Sequence, residues 1–261
     1  MKAPTPKAKV LHIYVAMDAA SHSVDALTSA ITLAGQLEAE LTGLFIEDID
    51  LLRSAQLPFA SEIIADSGRE RLLTSNDIER SLRAWSAEMQ NTLINQARKA
   101  QIKYSFRTVR GRRLDAILTE AGVSDLLIFA RPRYRLTPAL SQATNIGLIY
   151  DGSEQSQHGV AILGKLAAKG LAHVTLINVE KQPQAQDSKY DIHHAAQWLT
   201  HRGMSVSLQN PADKSVPALV SLLKRHHASL LLVPANNELC KQSGQFRQLE
   251  SRLECPLVII R

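Results

Sequence analysis

The sequence contains an internal repeat, and this repeat constrains the fold more strongly than any single motif. A shift of 133 residues lays segment 10–48 over segment 143–181 without gaps. The matching positions include Asp18 on Asp151, Ser23 on Ser156, Ala34 on Ala167, Thr42 on Thr175 and Glu47 on Glu180. Few residues are identical, but both segments read as apolar strand, aspartate, polar turn, amphipathic helix and apolar strand. The chain therefore consists of two copies of one structural unit.

A second match places an insertion in the first copy. Segment 112–130 lies over segment 217–235 at a shift of 105 residues, which is 28 fewer than the first shift. The first copy thus carries about that many additional residues, which we place at 48–75, between its second and third strands. We predict two tandem domains, residues 1–143 and 144–261.

Alternation of strands and helices within each copy predicts an α/β fold with a parallel sheet that is covered on both faces. Helix 23–37 is expected to bury one face, made of Val24, Leu27, Ile31, Ala34 and Leu37. A longer helix, 76–100, carries a core stripe of Ile78, Leu82, Trp85, Met89, Leu93 and Ala97. The predicted strands are 9–17, 41–47, 103–109 and 125–130 in the first copy, and 146–150, 173–179, 204–208, 230–234 and 256–260 in the second.

The two copies end differently. The second has room after its fourth strand for a helix, GQFRQLESRLE, and a fifth strand, PLVIIR, whereas only residues 131–145 separate the fourth strand of the first copy from the second copy. The first copy has therefore lost its last helix-strand unit. An uncovered strand edge invites pairing with other chains, so we expect the second copy or another subunit to cover it.

Composition narrows the function classes. The chain has 45% hydrophobic and 21% charged residues, which is typical of globular proteins. No apolar run approaches the ~20 residues of a membrane span, and the amino terminus lacks a signal-peptide pattern, so we expect a cytoplasmic protein that does not bind membranes. The two cysteines occur in no CxxC or Cys/His pattern, which gives no indication of a disulfide framework or a metal site.

The positive charges that make up the net charge of +5 are concentrated in one part of the chain. Without the seven arginines between positions 107 and 135, the rest of the chain would carry −2. Aromatic residues make up only 5%, and no nucleic-acid-binding motif is present, so we expect no nucleic-acid partner.

Several segments, taken in order, resemble the universal stress proteins. These segments are VLHIYVAMDAASHSVDAL, LTGLFIEDIDLLRSAQLPFASEI, the RTVRG turn, DLLIFA and the closing ECPLVIIR. The resemblance covers nearly the whole chain. It implies two tandem flavodoxin-like domains with parallel sheets of strand order 3-2-1-4-5, the first lacking its last helix-strand unit. It also implies frequent homodimerisation and, in many members, binding of ATP or a related adenine nucleotide.

The sequence departs from the phosphate-binding motif of the ATP-binding members. That motif, G-x2-G-x9-G-[ST], follows the fourth strand, because bare backbone amides can surround a phosphate only where side chains are absent. In this chain the fourth strand of the first copy is followed by RPRYRLTPALSQATN, which has no glycine. The fourth strand of the second copy is followed by PANNELCKQSGQFRQ, in which Gly244 is the single glycine. Conventional ATP binding is therefore not expected in either half, and no cofactor is assigned, although an adenine nucleotide remains a candidate.

Three alternating arginines, Arg131, Arg133 and Arg135, follow the fourth strand of the first copy. In an open α/β sheet the ligand crevice lies at the carboxyl ends of the strands where the strand order reverses, here between strands one and four. In an extended segment the three side chains would point to one side and could bind an anion. The alternative, which we favour, is a solvated or subunit-facing loop.

Asp18 and Asp151 end the first strand of each copy. In the family the matching aspartate contacts the adenine end of a bound nucleotide, and Asp151, Gly152 and Ser153 keep that pattern better than the first copy does. The alternative, which we favour, is turn and helix N-cap chemistry, which Asp and Ser supply at many strand-to-helix junctions. The histidines, which include His193, His194, His201, His226 and His227, are expected to be surface residues.

No nucleophile elbow, P-loop or GxGxxG is present, so we expect no enzymatic activity. The first hypothesis is a non-enzymatic stress-response regulatory or interaction module with a protein partner, which would tolerate Asp151→Ala. The second is a sensor of an adenine nucleotide or another anion, bound at the Asp151 turn or by the arginine loop. The third is a hydrolase or transferase of the wider adenine-nucleotide-binding superfamily.

Overall fold

The computed structural model describes residues 11–18, 24–57, 59–63, 68, 70–72, 74–111, 119, 125–129, 145–168, 170, 173–179 and 191–261. Its elements in the first half are β1 (His12–Asp18), α1 (Val24–Leu37), β2 (Glu40–Asp48), α2 (Ile49–Ser54), β3 (Ser61–Ile63), β4 (Glu70–Leu72), α3 (Ser75–Lys99), β5 (Tyr104–Gly111) and β6 (Asp125–Phe129). In the second half they are β7 (Ile146–Tyr150), α4 (Glu154–Ala167), β8 (His173–Asn178), α5 (Ile192–His201), β9 (Ser205–Gln209), α6 (Val216–Arg225), β10 (Leu230–Pro234), α7 (Glu238–Lys241), α8 (Ser243–Arg252) and β11 (Leu257–Ile260).

Nine of the eleven described strands form one sheet, in the order β5-β2-β1-β6-β11-β10-β7-β8-β9. Within the first half this order is 3-2-1-4, and within the second half it is 3-2-1-4-5, as the resemblance implies. Neighbouring strands are parallel except β6 and β11, which are antiparallel. The predicted α/β class with a mostly parallel sheet is therefore confirmed.

Strand β11 joins the two halves. It pairs parallel with β10 of its own half and antiparallel with β6 of the first half, with Ile259 opposite Leu127 and Val258 opposite Ile128. The second copy thus covers the strand edge that the missing unit of the first copy leaves open. The two halves form a single sheet, in contrast to the two separate sheets expected from the sequence, because one fifth strand serves both fourth strands.

This pairing also bears on two further predictions. The uncovered edge no longer argues for a homodimer, because β11 fills it within the chain, and the homodimer stays a prediction. The proposed boundary between residues 143 and 144 lies outside the described residues and stays a prediction as well.

The core has two layers, one on each face of the sheet. Alternate residues of β1 belong to different layers, Ile13 and Val15 to one and Tyr14 and Ala16 to the other. Each layer continues through β6 and β11 into the second half. Inner strands such as β7 and β10 are buried along their whole length because parallel strands under helices bury both faces.

Among the described side chains, the helices bury the predicted faces with one exception. The side chain of Val24, also predicted for the buried face of α1, lies outside the described part of the chain. In α1, Leu27, Ile31, Ala34 and Leu37 are buried. In α3, Ile78, Leu82, Leu93 and Ala97 are buried and Met89 packs against the core, but Trp85 is 42% exposed. The expectation that Trp85 belongs to the core stripe is therefore wrong. The helix is 25 residues long, and its middle is less covered than either end.

The insertion of the first copy packs partly on the main core, where Leu52 and Ala55 are buried. It contains α2 and a two-stranded antiparallel hairpin, in which β3 pairs with β4. Asp48 caps α2, since its side chain accepts a hydrogen bond from the backbone nitrogen of Asp50 at 2.8 Å. No described helix combines the length and the apolar character that crossing a bilayer requires.

The repeat extends to buried polar side chains at the amino-terminal edge of the sheet. Thr42 is buried in β2 and bonds His12 Nε2 at 2.7 Å. The equivalent Thr175 is buried in β8 and bonds the side chain of Asn145, which is the equivalent of His12, with Nδ2 to Oγ1 at 3.1 Å. Each buried hydroxyl therefore has a partner on the neighbouring strand, as buried polar groups require.

Candidate functional site

The sheet reverses its strand order between β7 and β10 in the second half. Strand β8 lies on one side of β7, and β10 lies on the other. A crevice opens at the carboxyl ends of two such strands, because the connections that follow them turn to opposite faces of the sheet. Here Asp151 follows β7 and Asn236 and Asn237 follow β10, so the polar groups of both loops converge at this point.

The turn after β7 is shaped for the start of a helix. Gly152 has φ 75°, in the left-handed region where glycine has no steric cost. Ser153 is the N-cap of α4, and its Oγ accepts a hydrogen bond from the backbone nitrogen of Ser156 at 3.2 Å. The sequence DGS therefore gives α4 both its turn and its cap.

Four donors hold the carboxylate of Asp151. Its Oδ1 accepts hydrogen bonds from the backbone nitrogen of Ser153 at 3.2 Å, from Ser153 Oγ at 2.5 Å and from Ser156 Oγ. Its Oδ2 accepts one from Asn237 Nδ2 at 2.9 Å. Ser156 is fully buried, and its Oγ also accepts a hydrogen bond from the backbone nitrogen of Asp151 at 3.1 Å. The aspartate therefore organises the turn, as the turn-and-cap alternative predicted.

Asn237 links the two loops of the crevice. It is buried and caps the short helix α7, where its Oδ1 accepts a hydrogen bond from the backbone nitrogen of Leu239 at 3.1 Å. Its Nδ2 donates to Asp151 of the opposite loop. One amide side chain thus starts α7 and fixes the distance between the ends of β7 and β10.

A cavity of about 340 Å³ lies in this crevice. Segments that follow all four parallel strands β7 to β10 contribute to its wall. Its apolar lining residues are Val179, Leu219 and Leu239. Its polar and charged lining residues are Asp151, Ser153, Lys214, Asn236, Asn237, Glu238 and Gln245. A mostly preformed cleft with an apolar wall and a few convergent polar groups is typical of a small-molecule site.

The predicted site residues have different outcomes. Asp151, Gly152 and Ser153 lie together at the crevice of the second half. Asp18 ends β1, where it is half-exposed and paired in register with Ile46, but the residues 19–23 that follow it lie outside the described part of the chain. Arg131, Arg133 and Arg135 also lie outside the described residues, so the anion-binding alternative for that loop stays a prediction.

The sequence interpretation missed Asn237, Lys214, Leu219 and Gln245. The signal for Asn237 was available, since Asn followed by Glu at a strand end is a helix-start pattern. The other three side chains come from the helix after β9, the loop before it and α8, and no local pattern predicts that these segments meet at one cavity.

Neither cysteine is a candidate nucleophile. Burial raises the pKa of the Cys240 thiol to about 12, and the negative charge of Asp151 adds to this shift. Burial likewise raises the pKa of Cys255 to about 12. Because the thiolate is the reactive form, both side chains are inert at neutral pH.

The described histidines form no metal site. His193, His194 and His201 are exposed on α5, and His226 and His227 end α6. Among the residues that the structure describes, no group of three or more His, Cys, Asp or Glu side chains is placed to hold a metal ion.

Similar proteins were found by comparison of structures and not by comparison of sequences. No protein-family model matches the sequence, and no curated protein matches it significantly. A universal stress protein from Archaeoglobus fulgidus superimposes with a TM-score of 0.62 at 11% identity, over 96% of this chain and 96% of that chain. A putative universal stress protein from Pseudomonas aeruginosa gives 0.49 at 12% identity, over 97% of this chain and 93% of that chain. A universal stress protein in complex with cAMP gives 0.34 at 18% identity, over 45% of this chain and 96% of that chain.

The sheet order and the crevice at the reversal define a doubly wound α/β protein that is built from two tandem halves. Its fold is that of the universal stress proteins, which confirms the resemblance inferred from the sequence. At these identities the comparisons establish the fold alone.

Proposed function

We propose that this chain is a non-enzymatic, stress-response type regulatory protein that acts by binding, and that the crevice between β7 and β10 binds a small molecule. One observation carries the proposal: a cavity of about 340 Å³ lies at the strand-order reversal, with an apolar wall and convergent polar groups. Folds of this kind bind ligands at this position, and the second half provides it within one chain.

The hydrogen bonds that Asp151 accepts support a binding role over a catalytic one. A general base must accept a proton from the substrate, but the two oxygens of this carboxylate already accept four hydrogen bonds from the protein. The thiol of Cys240, whose pKa the charge of Asp151 helps to raise, is neutral at ordinary pH. The hydroxyls of Ser153 and Ser156 do donate to this carboxylate, but both also take part in the turn that starts α4.

Conventional ATP binding is not part of the proposal. The segment PANNELCKQSGQFRQ, which begins at the end of β10, lacks the glycine motif, and the side chain of Asn237 is bound to Asp151 and to the start of α7. Gly244, the single glycine of this segment, lies inside α8. The adenine-nucleotide alternative is therefore reduced to ligands that do not depend on a phosphate-binding loop.

Thermal unfolding of the full chain with adenosine, AMP, ADP and ATP tests the proposal. A ligand at 100 times its dissociation constant adds ~2.7 kcal/mol of stability, which gives a clear rise in melting temperature. The variant must not disturb the turn, so Asp151→Ala is unsuitable. Gln245→Trp is suitable, because Gln245 is a half-buried lining residue of α8 and a larger side chain there would occupy the cavity.

Gln248→Trp is the matched control, since Gln248 lies on the same helix and is half-buried but does not line the cavity. We expect at least one compound to raise the melting temperature of the parent and of Gln248→Trp, but not of Gln245→Trp. A rise that persists in Gln245→Trp would place the binding elsewhere. If no compound changes the melting temperature, the second candidate, an interaction module with a protein partner and no small ligand, is favoured.

A further inference from the structure

We infer that the second half has a further binding site, at the amino-terminal edge of the sheet, for a small phosphate-type oxyanion. A cavity of about 330 Å³ lies there, between the starts of β8 and β9 and the end of α6. Its described lining consists of three histidines, three residues with hydroxyl groups, one asparagine and one valine. The crevice between β7 and β10 opens at the opposite edge of the sheet, so this inference does not depend on the proposed function.

The register of the strands brings polar side chains together on one face of the sheet. His173 of β8 pairs with Ser205 of β9, and Thr175 pairs with Ser207. Residues two positions apart on a strand point to the same face, and register partners on neighbouring strands do so as well. The four side chains therefore form one polar patch where the two strands begin.

The end of α6 provides the other wall of the cavity. Ile177, which lies on the same face of β8 as Thr175, packs in the same core layer as Leu223 of α6. This helix thus covers the face that carries the polar patch. His226 and His227, which follow the last residue of the helix, line the cavity.

The side chains of Asn145 and Thr175 are engaged within the protein. Asn145 Nδ2 donates to Thr175 Oγ1 at 3.1 Å and to the backbone oxygen of His226 at 2.6 Å. Thr175 Oγ1 donates to Asn145 Oδ1 at 3.2 Å. These bonds hold the end of α6 against the starts of β7 and β8, and they fix the shape of the cavity.

The backbone carbonyl groups at the end of α6 are engaged as well. Those of Leu222, Leu223 and Lys224 accept hydrogen bonds from the backbone nitrogens that follow the helix, each at 3.0 Å. The carbonyl of His226 accepts the hydrogen bond from Asn145. Unpaired carbonyls at a helix end would oppose an anion, and these bonds reduce that opposition.

The other polar side chains of the cavity have donors to offer. Ser207 Oγ accepts a hydrogen bond from Gln209 Nε2 at 2.9 Å, which leaves its own hydrogen available. Within the described part of the chain, no hydrogen bond or ion pair engages four further side chains of the lining, those of His173, Ser205, His226 and His227. A neutral imidazole carries one N–H donor and a protonated imidazole carries two.

The charge of the wall depends on its histidines. The described lining contains no Asp, Glu, Lys or Arg. The charged groups on the surrounding elements are Lys224 and Arg225 in the last turn of α6 and Glu254 before β11. Glu254 lines a neighbouring cavity together with His227, and it forms an ion pair with Lys224. Because histidine gains a positive charge as the pH falls from 8 to 6, the wall becomes cationic in this range.

This set of groups suits an oxyanion better than a metal ion. Zinc requires imidazole nitrogens within about 2.1 Å of one point, and among the described residues no three His, Cys, Asp or Glu side chains are placed to hold a metal ion. The oxygens of an oxyanion accept hydrogen bonds of about 2.7–2.9 Å from donors that are farther apart. Because the donors come from β8, β9 and α6, a tetrahedral anion of the phosphate type fits them better than a planar carboxylate.

The first half closes the matching place with bonds of its own. At the starts of β2 and β5 it has Glu40 and Lys103, whose side chains form an ion pair at 3.3 Å. Ser105 and Thr42, which are register partners, share a hydrogen bond at 2.8 Å. The second half has unpaired donors at this edge instead, so the repeat itself does not require them.

The repeat also supplies substitutions that the fold should tolerate. Segment 112–130 lies over segment 217–235, which places Ala121 and Gly122 at the positions of His226 and His227. His227 has φ 50°, in the left-handed conformation that glycine usually adopts after a helix end. The double variant His226→Ala/His227→Gly is therefore expected to fold, and urea denaturation should give a free energy of unfolding close to that of the parent.

A sulfate titration of the full chain tests the inference, followed through the ring carbon-proton NMR signals of the histidines. Sulfate is a tetrahedral dianion whose charge does not change between pH 6 and pH 8, so a change in affinity reports on the protein. We expect saturable shifts of the signals of His173, His226 and His227, each assigned by its single substitution. At constant ionic strength the dissociation constant should be at least fivefold lower at pH 6 than at pH 8.

Three variants locate the anion at pH 6. In His226→Ala/His227→Gly, the signal of His173 should report binding at least fivefold weaker than in the parent. The matched control is His193→Ala/His194→Ala, which removes two exposed histidines of α5 that do not line the cavity and should change the affinity less than twofold. Gln245→Trp in the crevice should also leave the affinity unchanged.

Four outcomes would overturn the inference: no saturable shift up to 50 mM sulfate, equal affinity at both pH values, equal losses in the two histidine double variants, or loss of binding in Gln245→Trp. The last result would place the anion in the crevice. Oxalate, a planar dianion, should bind more weakly than sulfate, and tighter binding would overturn the preference for a tetrahedral anion. Titrations with inorganic phosphate and glycerol 3-phosphate at pH 6 then distinguish a free phosphate from a phosphate ester.

Discussion

The hydrogen bond between Asn237 and Asp151 is predicted to contribute to the stability of the whole second half. In Asn237→Ala, the missing cap of α7 costs about 1 kcal/mol. The lost hydrogen bond to a charged carboxylate costs about 1.5–3 kcal/mol more. We therefore expect the free energy of unfolding to fall by about 2.5–4 kcal/mol, a large share of the total for a single domain.

A double-mutant cycle isolates the contact itself. The free energy of unfolding is measured by urea denaturation for the parent, Asn237→Ala, Asp151→Ala and the double variant. Because the two side chains are 2.9 Å apart, we expect the double variant to lose about 1–2 kcal/mol less than the sum of the single losses. Additive losses would refute the assignment of the two loops to one hydrogen-bonded unit.

Asp213→Ala is the matched control. Asp213 accepts hydrogen bonds from the backbone nitrogen and Oγ of Ser215, at 2.8 and 2.9 Å, in the same Asp-x-Ser arrangement as Asp151 and Ser153. The turn of Asp213 is exposed, and its carboxylate has no described partner on another strand connection. A loss as large as that of Asp151→Ala would show that the local turn, and not the contact across the crevice, determines the stability.

Three further predictions concern the packing and the thiols. Ile259→Ala in β11 should lower the free energy of unfolding by about 2–5 kcal/mol, because the side chain is fully buried. Because β11 pairs with both halves, urea should still unfold this variant in one transition, and two separate transitions would contradict a shared strand. Gly147→Ala should lower the free energy of unfolding, measured by urea denaturation, by about 1–3 kcal/mol, since its Cβ would lie 2.7 Å from a side-chain atom of Leu223. Gly244→Ala is the control: its Cβ would have nothing within 4 Å, so the substitution should raise the free energy of unfolding by about 0.5–1 kcal/mol. Equal effects of the two substitutions would contradict this packing. Iodoacetamide at pH 8 should leave both cysteines of the folded protein unmodified and react with both in guanidinium, because partial or full burial raises their pKa to about 12. Rapid labelling of the folded protein, followed by mass spectrometry, would contradict the raised pKa values.

The repeat predicted most of the fold because its signals are local. Apolar runs such as LLLVP and turn residues such as Asp151 and Gly152 determine strand and helix positions through short-range preferences. The match of Thr42 to Thr175 corresponds to two equivalent buried threonines in the structure. Trp85 was assigned incorrectly because helical periodicity gives the direction of a side chain but not the extent of the surface that covers it.

The shared strand could be anticipated only in part. The run LVII in β11 indicates that both faces are buried, but the hydrogen-bonding edges of a strand leave no trace in side-chain pattern. The length of segment 131–145 showed that a strand was missing, so some cover for β6 was required. That β11 would pair antiparallel with β6 depends on the packing of two distant segments, which no local motif encodes.

The site was predicted at one loop and missed at the other. Asp151, Gly152 and Ser153 stood out because they combine a strand end with turn and cap residues. The segment NNELC was interpreted only as a departure from the glycine motif. Its second asparagine, Asn237, proved to be the residue that joins both loops, and its partner lies 86 positions away in the sequence.

The claim that the crevice between β7 and β10 is a small-molecule site is tested most directly by a crystal structure of the full chain soaked with adenosine. We predict that the purine ring lies in the crevice against Val179 and Leu219. Adenosine bound at another place, or a crevice that stays empty at a saturating concentration, would contradict the account.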